Sequence, residues 1–148
     1  MKETSKKIKD SISKKVALSS APIAHGVGRR KSSVARVFLR HGNGKITINN
    51  KDFSSYCMTD VARRLVVEPI ALIGVGKTLN IDVNVSGGGI HSQAGAIRLG
   101  ISRALVVLDE TNKKTLRDSG FLTVDSRVKE RKKPGQKAAR RKFQFVKR

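Results

Sequence analysis

The chain has one cysteine, no tryptophan and only 11 acidic residues among 148. The lone Cys57 cannot close an internal disulfide, and intracellular residence is the simplest reading. No histidine or metal-ligand spacing accompanies it, so a small core or surface residue is expected there rather than a reactive thiol. Against the few acids stand 32 Lys and Arg, a net charge of +21 and a pI near 11.1. A chain so short of negative charge takes a polyanion as partner, and nucleic acid is favoured over an anionic membrane. No apolar run approaches the roughly 18 residues that span a bilayer, so no membrane partner is expected. The start, Met1-Lys2-Glu3-Thr4-Ser5-Lys6-Lys7, is charged but no hydrophobic segment follows, so it does not read as a signal peptide. The apolar fraction, 38%, is below the usual 45–50% or so.

The deficit lies at the ends. Residues 127–148 hold eleven Lys or Arg against Glu130 alone, a charge of +10. Pro134-Gly135 interrupts any helix, and mutual repulsion is expected to keep the segment extended until a polyanion neutralises it. Fully stretched, it would reach roughly 70 Å. The sequence divides into a flexible basic extension (1–24), a globular body (25–126) and an extended basic tail (127–148). In the extension, Ile8, Ile12 and Val16 share a helical face, but an isolated helix there would be marginal.

Within the body, the run from Val27 to His41 predicts a strand with Ala35, Val37 and Leu39 on one face and Val34, Arg36, Phe38 and Arg40 on the other. Asn43-Gly44 is a tight-turn signal. It predicts a hairpin with Lys45–Asn49, and Asn49–Asp52 is a second turn. A helix capped by Thr59 or Asp60 is expected to run to Glu68 and stop at Pro69, burying Val61, Ala62, Leu65 and Val66. Arg63 and Arg64 point away. Leu79, Ile81, Val83 and Val85 alternate strictly with polar residues, a half-buried strand. Gly87-Gly88-Gly89 leads into the longest helix, Ser92–Leu108, with an apolar stripe through Ala94, Ile97, Ile101 and Leu105 and with Arg98 and Arg103 off it. A short helix ends at Gly120. The expected class is α+β, a sheet with helices on one face.

Gly74-Val75-Gly76-Lys77-Thr78 looks like the end of a phosphate-binding loop. Such a loop follows a strand and opens a helix, whereas this one leads into a strand, so it reads as a connection. The triple glycine before the long helix reads as close backbone packing, with an RNA backbone a more plausible anion than a nucleotide cofactor. His25, His41 and His91 have no companions in metal-ligand spacing. No cofactor and no metal are expected, and the chain reads as non-enzymatic.

The basic clusters remain. Arg29, Arg30 and Lys31 are adjacent, with Arg36 following. Such repulsion adds nothing to stability, and a phosphate partner relieves it and releases counterions. The alternative is a solvated edge that discourages strand aggregation. In the tail, Arg127, Lys129, Arg131, Lys132, Lys133, Lys137, Arg140, Arg141 and Lys142 form the second set, with Phe143 and Phe145 interleaved as stacking groups.

These residues carry a resemblance. Gly28-Arg29-Arg30-Lys31-Ser32-Ser33-Val34-Ala35-Arg36-Val37, Gly87–Gly89, Gln93–Arg98, Ser102–Leu105 and Asp125–Gly135 resemble the small-subunit ribosomal protein S-nine family, bacterial type. The likeness runs from about Gly26 to the C-terminus. It implies a two-layer sandwich of the ribosomal S-five domain-two-like type, with a left-handed crossover. It also implies a ribosome-bound, cytoplasmic place in the small-subunit head, with small-subunit rRNA and neighbouring ribosomal proteins as partners. The thirteen cations named would hold rRNA, and Lys147 and Arg148 would touch P-site tRNA. The sequence departs from the family pattern at Asn50, Ser92, Leu99, Lys142-Phe143 and Val146. Two other classes fit the sequence less well. A ribonuclease P protein would carry its arginines on a helix, and a nucleotide-dependent small-molecule kinase would need an intact phosphate loop.

Overall fold

The computed structural model describes residues 21–145. Five strands and four helices are found among them: β1 Ala24–Arg30, β2 Ser33–His41, β3 Ile46–Ile48, β4 Lys51–Asp52, α1 Phe53–Tyr56, α2 Asp60–Ile73, β5 Leu79–Ser86, α3 Ile90–Leu108 and α4 Asn112–Asp118. The strands form one mixed sheet in the order β1-β2-β5-β3-β4. The helical layer, chiefly α3 and α2, covers one face, giving the expected two-layer α+β sandwich, consistent with the S-five domain-two-like type.

The sheet's inward face follows from residue alternation. Ala35, Val37 and Leu39 on β2 and Leu79, Ile81, Val83 and Val85 on β5 are all buried. On β1 the inward positions are Ala24, Gly26 and Gly28. Here close approach requires glycine. A Cβ at Gly28 would lie 2.5 Å from the Gly100 nitrogen and nearer still to the Ala96 carbonyl oxygen. The facing residues on α3, Ala96, Gly100 and Ala104, are equally small and four apart, so strand and helix meet backbone to backbone. β1 is not expected as a separate strand because glycines, not large apolar side chains, form its inner face. The single strand expected over Val27–His41 is two strands of a hairpin, turning at Lys31-Ser32 with Lys31 at φ 52°.

The hairpin expected across Asn43-Gly44 does not form. β5 inserts between β2 and β3, antiparallel to the first and parallel to the second. The Asn80 side chain accepts from the Asn43 and Lys45 amides, each at 3.0 Å, and so takes the role a partner strand would have in that loop. β3 pairs instead with β4, through Asn49-Asn50 at φ 49° and 62°. Asparagine tolerates this left-handed backbone better than most residues, which accounts for Asn50 at a position where glycine is usual. The Asn49 side chain also bonds both the N–H and the carbonyl of Val85, at 2.8 and 2.9 Å, extending the β3–β5 ladder.

α2 passes through Pro69 rather than stopping there. The proline forfeits one backbone bond, but Pro69 and Ile70 are buried and Ile73 packs on the core, so packing carries the helix onward to a left-handed Gly74. Its buried face is Ala62, Val66, Pro69 and Ile70, and Val61 is exposed. Thr59 is the capping residue, although its side chain makes no capping bond. Arg63, off the buried face as expected, donates to the carbonyls of Cys57 (2.7 Å) and Ser54 (3.1 Å) and ties α1 to α2. Cys57 is buried, and that burial pushes its thiol above the ordinary range.

Candidate nucleic-acid interface

The glycines before α3 serve packing. Gly87 and Gly88 take φ 73° and 64°. Their turn lets the Ser33 hydroxyl reach the Gly87 carbonyl (2.9 Å) and the Ser92 hydroxyl (2.6 Å). Ser92 also accepts from the Gly89 N–H at 3.1 Å, so the serine that replaces a usual glycine finishes the helix start. Leu99, another departure, is buried. The phosphate-loop look-alike is the connection from α2 to β5, as its sequence context indicates.

The first basic cluster sits at the β1–β2 turn and does not act as one unit. Arg29 and Lys31 are exposed. Arg30 folds over Gly95, whose missing side chain leaves its guanidinium room. It donates to the His91 carbonyl at 3.3 Å and lies 3.4 Å from Asp125. Arg36 is exposed on the uncovered face of the sheet, opposite Val27 and Asn84. On the same face His25 stacks on Phe38 with centroids 5.8 Å apart, and Arg40 pairs with Asp82 at 2.8 Å.

The tail leaves α4 through Phe121 and Leu122, which pack against the core. At its root, Asp125 accepts from Arg127 Nε at 2.9 Å, from a second guanidinium nitrogen at 3.1 Å and from the Arg127 amide at 3.2 Å. With Arg30 this makes a carboxylate held between two guanidiniums. These bonds hold Asp125 well below the usual carboxylate range and raise Arg127. The expected run of free charge from Arg127 onward is therefore interrupted at its first member.

Beyond it, Lys129, Arg131 and Lys132 are exposed on a stretch without regular structure. The tail then turns at Pro134-Gly135, and Gln136 bridges to Lys142. It is not fully extended over this length because Glu130 offsets the local repulsion, pairing with Lys133 at 3.4 Å and Arg140 at 2.9 Å. Among the described residues, nine of the thirteen cations read as rRNA ligands have no carboxylate within 4.0 Å: Arg29, Lys31, Arg36, Lys129, Arg131, Lys132, Lys137, Arg141 and Lys142. Lys147 and Arg148, the residues read as tRNA ligands, and most of the extension, including Ile8, Ile12 and Val16, lie outside the described residues. Phe143 and Phe145 are exposed, the latter almost wholly.

Three further residues take part. Asp125 carried a signal, an acid two residues before an arginine at the tail root. Arg98 sits over the Phe121 ring, 5.4 Å from its centroid, and pairs with Glu68 at 3.3 Å. Arg103 donates to the Val27 carbonyl on the outer edge of β1 at 2.7 Å. In sequence, Arg98 and Arg103 lie off the apolar stripe and within the stretches that carry the family resemblance, and neither signal assigns them a contact. A cleft of about 390 Å³ lies where these parts meet, lined by Arg29, Arg30, Arg98, Phe121, Asp125 and Arg127 among others.

A profile of the family described as Ribosomal protein S9/S16 matches residues 28–148. The Small ribosomal subunit protein uS9 of Borreliella burgdorferi (strain ZS7) is 53% identical over 135 residues, 91% of this chain and 99% of that one. The protein of the same name from Azobacteroides pseudotrichonymphae genomovar. CFP2 is 48% identical over 126 residues, 85% of this chain and 98% of its own length. That from Borrelia duttonii (strain Ly) is 54% identical over 123 residues, covering 83% and 90%. With the family profile matched over most of its length and relatives of this identity covered nearly whole, the chain belongs to the ribosomal protein S9/S16 family, structural components of the small ribosomal subunit.

Proposed function

We propose that the protein holds a place in the head of the small subunit by binding small-subunit rRNA, and that its tail tip contacts P-site tRNA. The observation that carries this reading is the set of nine cations without an acidic neighbour among the described residues, on the β1–β2 turn, on the sheet face opposite the helices and along the tail. Guanidinium and ammonium groups placed this way fix a phosphate backbone in register without reading its sequence. The body, 25–126, supplies the seat, and the tail, 127–148, supplies reach. Lys147 and Arg148 would meet the tRNA backbone, and the protein would be ribosome-bound in the cytoplasm among other proteins of the head.

Two experiments test the two parts. Sucrose-gradient separation of a lysate with a high-salt wash should leave the protein with small subunits, and a free protein would refute the rRNA seat. Deleting Lys147-Arg148 should weaken P-site tRNA retention while leaving assembly intact. Unchanged tRNA affinity in the mutant subunits removes the tail tip from the mechanism.

A further inference from the structure

We propose that the cleft between the tail root and α3 seats one unpaired RNA nucleotide, its base lying on the Arg98 guanidinium and its phosphate facing Arg29. The assignment rests on the rRNA-binding reading and names the element bound.

Arg98 is fixed on two sides. Phe121 lies beneath its guanidinium at 5.4 Å, and Glu68 holds one nitrogen at 3.3 Å. Its charge is already compensated, so what it offers the cleft is a flat surface. Unpaired bases stack on guanidinium planes as they do on aromatic rings. The rest of the lining suits a base too: Leu99 and Phe121 are apolar, and Gly95 presents no side chain.

The rim suits a phosphate. Arg29 lines the cleft without a carboxylate within 4.0 Å among the described residues. Arg30 and Arg127 stand beside it, held in place by Asp125. The volume, about 390 Å³, falls within the roughly 300–1,000 Å³ of sites that enclose a small organic ligand. A duplex keeps its bases stacked inside and presents phosphates on a convex surface, so it would leave this concavity empty. An acidic protein segment would satisfy Arg29 but make no use of the flat Arg98 surface.

The test uses full-length protein and small-subunit rRNA. Arg98→Lys keeps the charge and the reach to Glu68 but removes the plane. It should lower rRNA affinity about 10-fold with the salt dependence unchanged. Arg29→Ala should instead flatten the slope of log affinity against log salt by about 0.7. Thr123→Trp fills the cleft from an exposed position and should match the Arg98→Lys loss, which keeps the proposal testable should R98K fail to fold. A photoreactive side chain at Thr123, in assembled subunits, should crosslink to the base of a single unpaired nucleotide. Wild-type affinity in folded R98K or in T123W, or crosslinking to a protein or to duplex RNA, overturns the proposal. Loss of all rRNA affinity in the wild-type protein would instead overturn the rRNA-binding reading itself.

Discussion

Replacing Gly28 by alanine tests how the basic turn is held in place. The added Cβ would lie 2.5 Å from the Gly100 nitrogen, 3.0 Å from the Ala96 carbonyl carbon and nearer still to the Ala96 oxygen. All three are backbone atoms in the interior of α3, bonded into its helix, and cannot swing aside as a side chain would. β1 must therefore retreat by an ångström or so. As an edge strand paired only to β2, it is the part that can move. Overpacking of this kind costs about 3 kcal/mol, the upper end of the usual range. For a folded body of about 100 residues that lowers Tm by roughly 12–24 °C. Arg29 and Lys31 lie one and three residues further along, so rRNA affinity should fall with stability. Circular dichroism melting and rRNA binding of G28A, with Gly89→Ala as control, provide the assay. A Cβ at Gly89 meets nothing within 4 Å and its φ of −108° suits any residue, so that variant should lose no more than about 1 kcal/mol, the cost of alanine in place of glycine at the residue capping α3. A G28A protein that melts with the control would refute the backbone-to-backbone packing of β1 on α3.

Other expectations follow from individual contacts. Asn49→Ala removes two hydrogen bonds to Val85 and puts a Cβ-bearing residue without a polar side chain at φ 49°. It should cost about 2–4 kcal/mol in chemical denaturation, and Asn49→Gly should cost less because it relieves the backbone strain. Asp125→Asn should free the tail root from Arg30 and Arg127, speeding tryptic cleavage after Arg127 while the melting of the body is little changed. The Asp125 carboxyl is held below its unfolded value, so its contribution is fully present above the ordinary carboxylate range and is lost as pH falls through the lowered value. The wild-type cleavage rate at a fixed protease activity should thus be flat from pH 7 to about 5. A rise within that window would contradict the assignment.

What could be read from the sequence depended on where the stabilising contact lay. β5 was legible because Leu79, Ile81, Val83 and Val85 bury one face of a strand within a single local window. The long helix was legible for the same reason, its stripe recurring at three and four residues. β1 was not, since its inner face is glycine and its partner surface on α3 lies some seventy residues away. Asn43-Gly44 gave a sound local turn signal, but it could not reveal that Asn80 fills the loop and that β5 separates the two strands. At Pro69 a local rule met a core position, and burial of Ile70 prevailed. In the candidate interface, the cations themselves were legible from charge alone. Their division into free and committed groups was not, because Asp125 and Glu130 each hold two of them by folding the chain back on itself.

The salt dependence of the protein's affinity for small-subunit rRNA decides whether these cations bind a phosphate backbone. Nine cations without acidic neighbours among the described residues, each releasing about 0.7–0.9 of a counterion, predict a slope of log affinity against log salt of about −6 to −8. A slope shallower than about −2 would show that fewer than three of them meet phosphate, and would refute binding through these cations.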